Sequence, residues 1–136
     1  MTRYFASWGT CIVVMLVLDA IWIGKLARPW YQQGIGHLMA AQFNLVAASA
    51  FYLMYGVALM FFVVAPDGVA SSWNNTLVKG ALFGLFAYGT YDLTNMATLR
   101  NWPLGLSLMD MGWGCFASLC ACAAAKWVFD HMGQAA

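Results

Sequence analysis

Asp19, Asp92 and Asp110 each lie inside a long apolar run, where an ionisable side chain costs roughly 2.5–3.5 kcal/mol on insertion scales. Carboxylates sharing a desolvated site hold their protons with unequal strength, as a general acid–base pair or a proton carrier requires. Tyr88, Asp92 and Asn95 follow one another at i, i+4 and i+7, so they share a helix face, with Tyr91 beside it. Tyr52 and Tyr55 lie one turn apart on a separate run. Asp19-Ala-Ile-Trp22 and Asp110-Met-Gly-Trp113 repeat an Asp-x-x-Trp pattern that sets an indole near each carboxylate. In a catalytic reading, Asp92 is the leading acid or base and Asp19 or Asp110 its partner. Tyr88, Tyr91, Asn95 and Tyr52 would orient a substrate, Trp22 and Trp113 would wall it in, and Arg28 and Arg100 would receive a phosphate at the rim.

The same residues fit a structural lock, in which the three aspartates pair with Lys25, Arg28 or Arg100 and with tyrosine hydroxyls. Other chemistries find no support in the sequence. It has no phosphate-cradling glycine loop, no nucleophile elbow and no metal-binding helix motif. Cys11, Cys115, Cys120 and Cys122 fall within apolar segments and read as small hydrophobes. His37 and His131 lie far apart in the chain, so neither has a ready partner for a metal. No cofactor is indicated, and a net charge of +1 without a basic run excludes a nucleic-acid partner.

The elements that must position these residues follow from composition. The chain is 63% hydrophobic and only 8% charged, and it lacks glutamate; a soluble domain carries about 25% charged residues to cover its core. A lipid-facing exterior removes that need. A membrane-crossing helix takes about 20 apolar residues, and four segments qualify: residues 4–26, 45–64, 77–99 and 104–128. The expected fold is all-α, one four-helix membrane bundle filling residues 1–136. Arg3 and the apolar run after it resemble a signal peptide, but no small-residue cleavage site follows, so a retained first span is expected. Asp19 and Asp92 lie seven residues before the ends of their spans and Asp110 about six after the start of its own. At 1.5 Å per residue all three fall about 9–10 Å below the same surface, in one layer.

Residues 27–44 contain Trp30 and Tyr31, which suit the headgroup level, and a short interfacial helix is expected there. Pro66-Asp67-Gly68 stops the second span. Asn74-Asn75-Thr76 matches a short glycosylation sequon. Arg100-Asn101-Trp102-Pro103 forces the last two helices to be antiparallel neighbours. Gly80 and Gly84, with Gly114, Ala117, Ala121 and Ala124, form small-residue faces for close helix contact. Lys and Arg divide equally between the two sides, so charge does not fix the orientation.

The chain resembles an uncharacterised bacterial family of small membrane proteins catalogued as domain of unknown function 2177. The likeness runs through Asp19-Ala-Ile-Trp22-Ile-Gly24, Gly36-His37-Leu38 and Ala50-Phe51-Tyr52-Leu53-Met54-Tyr55. It is strongest from Tyr88 through Asp92 and Asn95 to Leu99, and continues at Trp102-Pro103 and Asp110-Met-Gly-Trp113-Gly114. The resemblance implies a bacterial inner-membrane location and a connection with lipids, without supplying an activity.

Three functions fit these residues. The polar cluster could bind or modify a lipid headgroup or small amphiphile. The chain could be a non-catalytic subunit of a larger membrane complex, docked through its glycine and alanine faces. It could also be a small proton-coupled transporter working as a dimer, and a homo-oligomer is possible in any case.

Overall fold

The computed structural model describes residues 1–66, 68–69 and 71–134. Helix α1 (Thr2–Ile21) continues without a break into a π-helical segment, Trp22–Leu26. After Ala27 comes α2 (Arg28–Ile35), closed by a 3-10 turn at Gly36–Leu38. Helix α3 (Leu45–Leu59) likewise ends in a π-helical segment, Met60–Val64; α4 (Trp73–Thr98) and α5 (Leu104–Gln134) complete the chain. Among the described residues there is no strand. Asp67, expected to help stop the second span, lies outside the described residues.

Each expected span coincides with a long helix. Three of them, Thr2–Leu26, Leu45–Val64 and Leu104–Gln134, are long and apolar enough to cross a membrane. The fourth, α4, has 26 residues but carries Asn74, Asn75, Lys79, Asp92 and Asn95 along its length. The expected short helix after the first span is α2, with Pro29 in its first turn, where no N–H is needed. Asn44 caps α3 by accepting from the Ala47 backbone N–H at 3.1 Å.

The packing is inside-out relative to a water-soluble protein. Val46, Phe61, Phe86 and Leu108 face outward, whereas Thr76, Asp92, Ser107 and Ser118 are wholly buried. Apolar surface outside and polar groups turned inward is the arrangement a hydrocarbon solvent favours.

Helix α5 is the centre of the assembly, packed along α4 on one side and α1 on another; α3 rests on α1, and its π-helical end reaches α5 and α4. Small residues allow the close α4–α5 approach. A Cβ on Gly84 would run into the Gly114 carbonyl oxygen, and one on Gly114 into the Tyr88 ring. The small-residue faces therefore join helices within the chain. At one end of the bundle Lys126 is wholly buried, donating to Ser71 Oγ and pairing with Asp130 Oδ2, both at 2.8 Å. Thr76 of the sequon is buried in the first turn of α4 beside that end.

At the other end the α4–α5 turn passes through Asn101 at φ 59°, a left-handed conformation that asparagine tolerates better than most residues. Gly34 of α2 packs against the Pro103 ring of this turn. That contact lays α2 across the end of the bundle, over the aspartates.

Candidate functional site

The carboxylate of Asp19 is held from two other helices. Trp113 of α5 donates its indole N–H to Oδ1, and Tyr52 of α3 donates its hydroxyl to Oδ2, both at 2.8 Å. Asp19 is only 5% exposed, so both oxygens are satisfied by neutral donors in a nearly dry setting. The Trp22 and Trp113 rings stack, with centroids 4.4 Å apart and planes 3° from parallel. Helix rise alone places these two indoles on opposite sides of the aspartates. They meet because helical side chains lean toward their own N-terminus, and α1 and α5 run in opposite directions.

Asp110 accepts a short hydrogen bond from the Tyr31 hydroxyl. The sequence suggests a headgroup-level role for Tyr31, but the fold-back of α2 turns its phenol inward. Burial, reinforced by the adjacent Asp110 carboxylate, pushes the Tyr31 phenol well above its ordinary value, so it remains a hydrogen-bond donor. A buried hydroxyl pair, Tyr55 with Ser118 Oγ at 2.8 Å, lies about two turns further along α5 from Asp110.

Asp92 is treated differently. It is wholly buried between α4 and α5, and neither carboxylate oxygen has a hydrogen-bond partner. Ser107 and Trp102 face it, and the Trp102 indole donates to Ser107 Oγ at 2.9 Å. The three aspartates thus meet α5 at different heights: Asp92 near Ser107, Asp110 on α5 itself, and Asp19 at Trp113. From Ser107 to Trp113 the helix rises about 9 Å. Asp110 stands within electrostatic reach of Asp19 on one side and Asp92 on the other.

Two adjoining cavities open beside this series. The inner one, about 470 Å³, is lined by Asp19, Asp110, the stacked Trp22 and Trp113, and tyrosines including Tyr52 and Tyr88. The outer one, about 710 Å³, shares Asp19, Tyr31 and Tyr52 with it and adds Arg28, Gln32 and apolar residues of α1 and α3 such as Leu16 and Leu45. Of the residues singled out in the sequence, Asp19, Asp110, Tyr52, Tyr88, Tyr91, Trp22 and Trp113 line the inner cavity, and Arg28 lines the outer one. Asp92, Asn95 and Arg100 line neither; Asn95 sits beside the Tyr91 hydroxyl.

Among the described residues, no Lys or Arg lies within ion-pairing distance of Asp19, Asp92 or Asp110. The salt-bridge form of the lock is therefore not what holds them: Asp19 and Asp110 rest on tyrosine and tryptophan donors. Nor are three or more His, Cys, Asp or Glu side chains grouped to hold a metal ion among the described residues. Sequence reasoning missed Tyr31, Ser107 and Trp102. The available signal was the proximity forced by short connections, since Trp102 lies in the five-residue connection 99–103 and Ser107 in the first turn of α5 just after it.

No curated protein and no solved structure matches the chain. The profile of a family described as predicted membrane proteins, DUF2177, matches residues 4–127. The chain belongs to that family, domain of unknown function 2177.

Proposed function

We propose that the protein is a four-span bundle of the bacterial inner membrane that binds an amphiphile, with the polar head in the inner cavity and the tail along the α1–α3 seam. The observation that carries this reading is the pairing of the two cavities. The inner one presents two buried carboxylates in an aromatic wall, and the outer one leads from it past Arg28 onto apolar residues of α1 and α3. Aromatic and carboxyl groups in one cavity, joined to Arg28, Gln32 and apolar side chains in the other, offer an amphiphile both polar and apolar contacts, and both volumes are in the range of small-molecule sites.

Membership of α4 in the membrane is supported by its exterior. Val78, Leu82, Phe86 and Leu93 face outward, whereas its glycines and Asp92 face α5. Its 26 residues span about 39 Å, more than the hydrocarbon core requires. Inward-facing polar residues depress its mean hydropathy without meeting lipid.

Asp110 is the carboxylate best placed to meet a ligand, because it lines the cavity and, among the described residues, takes a side-chain donor from Tyr31 alone. Asp19 is engaged at both oxygens and orients the wall. If the bound amphiphile is also modified, Asp110 is the acid or base.

The reading is tested by purifying the protein in mild detergent and measuring retained lipid by native mass spectrometry. A stoichiometric lipid that is lost on Tyr88→Trp substitution, which fills the cavity, is the expected result. A protein free of lipid, or one whose bound lipid ignores that substitution, rejects the reading.

A further inference from the structure

Resting on the amphiphile reading, we propose that the inner cavity selects a headgroup carrying an ammonium, seated against Asp19 and Asp110, with its phosphate turned outward to Arg28.

Most of the cavity's hydrogen-bond donors are already engaged. The phenol of Tyr52 and the indole of Trp113 are already spent on Asp19, and the phenol of Tyr31 on Asp110. Trp22 Nε1 is buried without a hydrogen-bond partner of its own, beside Tyr31. The Tyr88 hydroxyl can donate or accept. What the cavity has in excess is acceptor capacity and negative charge. No cationic side chain lies within ion-pairing distance of either carboxylate among the described residues. An anionic head entering here would face two carboxylates with few donors left to receive it. A cationic head would supply the charge that the wall lacks.

The shape of the wall points the same way. The stacked Trp22–Trp113 pair and the rings of Phe51, Tyr52 and Tyr88 surround the carboxylates. Aromatic faces attract a desolvated cation through their quadrupoles, and cages of this kind take alkylammonium groups. Among the described residues, the one basic side chain lining these two cavities, Arg28, lies in the outer one with Asp19 and Tyr31. Acid and aromatic inside, base outside, is the charge order of a phospholipid whose ammonium leads and whose phosphate follows.

The test uses the full chain in detergent, offered phosphatidylethanolamine, phosphatidylcholine and phosphatidylglycerol of identical acyl chains, with free ethanolamine as a competitor. Native mass spectrometry reads the bound fraction. The expected result is at least a tenfold preference for one or both ammonium lipids over phosphatidylglycerol, with no displacement by free ethanolamine. The ethanolamine and choline arms separate hydrogen-bonded from purely cation–π recognition. Asp19→Asn with Asp110→Asn should abolish the preference, and Arg28→Gln should weaken phospholipid binding while sparing a phosphate-free alkyltrimethylammonium amphiphile. Should the double variant fail to fold, the wild-type chain still decides: tryptophan fluorescence should respond saturably to alkyltrimethylammonium and not to alkyl sulfate. Lipid bound with no headgroup preference, or with preference for phosphatidylglycerol, overturns the ammonium proposal alone. Absence of any bound lipid overturns the amphiphile reading beneath it.

Discussion

Trp113 donates its indole N–H to Asp19 across the α1–α5 interface, linking residues 94 positions apart in the chain at 2.8 Å. The same indole stacks on Trp22, three residues beyond that aspartate. One side chain therefore fixes the carboxylate, walls the cavity and ties the first helix to the last.

Removing that donor should be costly. Trp113→Phe keeps much of the ring but leaves Asp19 Oδ1 unpartnered in a dry site, with an expected loss of about 1–3 kcal/mol. Tyr52→Phe should cost a similar amount through Oδ2. Because the two donors share one carboxylate, the double variant should deviate from additivity. Reversible unfolding in detergent, followed by circular dichroism, measures all three.

Gly84 and Gly112 should respond oppositely to alanine. At Gly84 the new methyl meets the Gly114 carbonyl, so α4 and α5 must separate, with an expected cost of at least about 1–3 kcal/mol. At Gly112 nothing lies within 4 Å, and the helix should gain about 0.5–1 kcal/mol. Melting temperatures of the two variants give the comparison directly.

The Tyr31 phenol is held above its ordinary value by burial and by Asp110. Its contribution to stability is therefore complete below the unfolded-state pKa of about 10. It is lost as pH rises from there through the higher folded value. Tyr31→Phe should be less stable than the wild type by a constant margin from pH 6 to 9, taken as about the neutral range below that pKa. The margin should narrow at higher pH, as the wild type alone loses stability. A pH series of unfolding curves for both proteins checks the sign.

Asp92 is the opposite case, since it is fully buried with both oxygens unpartnered. An isosteric amide removes the requirement to keep that site neutral or to solvate a charge. Asp92→Asn should unfold at the same temperature as the wild type or higher. Loss of biological activity in that variant, read by complementation of a deletion strain, would then mark Asp92 as kept for function.

The long helices were legible because apolar length is a strong signal: residues 45–64 coincide with the observed Leu45–Val64. The ends were less so. Helix α4 begins at Trp73, ahead of the expected residue 77, because Asn74-Asn75-Thr76 reads as a polar turn yet forms the first helical turn. Helix α5 runs past residue 128 because Lys126 and Asp130 neutralise each other one turn apart.

The site divided along similar lines. Residue type and spacing picked out the aspartates, tyrosines and tryptophans, most of which line the inner cavity. Tyr31 was hidden because contacts between distant segments, such as Gly34 with Pro103 and Leu106, turn α2 over the bundle. The separation of Asp92 from the cavity was hidden too, since it depends on which neighbour the face of α4 meets. Periodicity identifies a face without identifying its partner.

The most direct test of the account is an experimental structure of the protein solved with its native lipids retained. Headgroup density is expected among Asp19, Asp110, Tyr52 and Trp113, continuous with acyl-chain density along Leu16 and Leu45. A cavity closed by side chains, or holding only ordered water while lipid lies elsewhere on the surface, would contradict it.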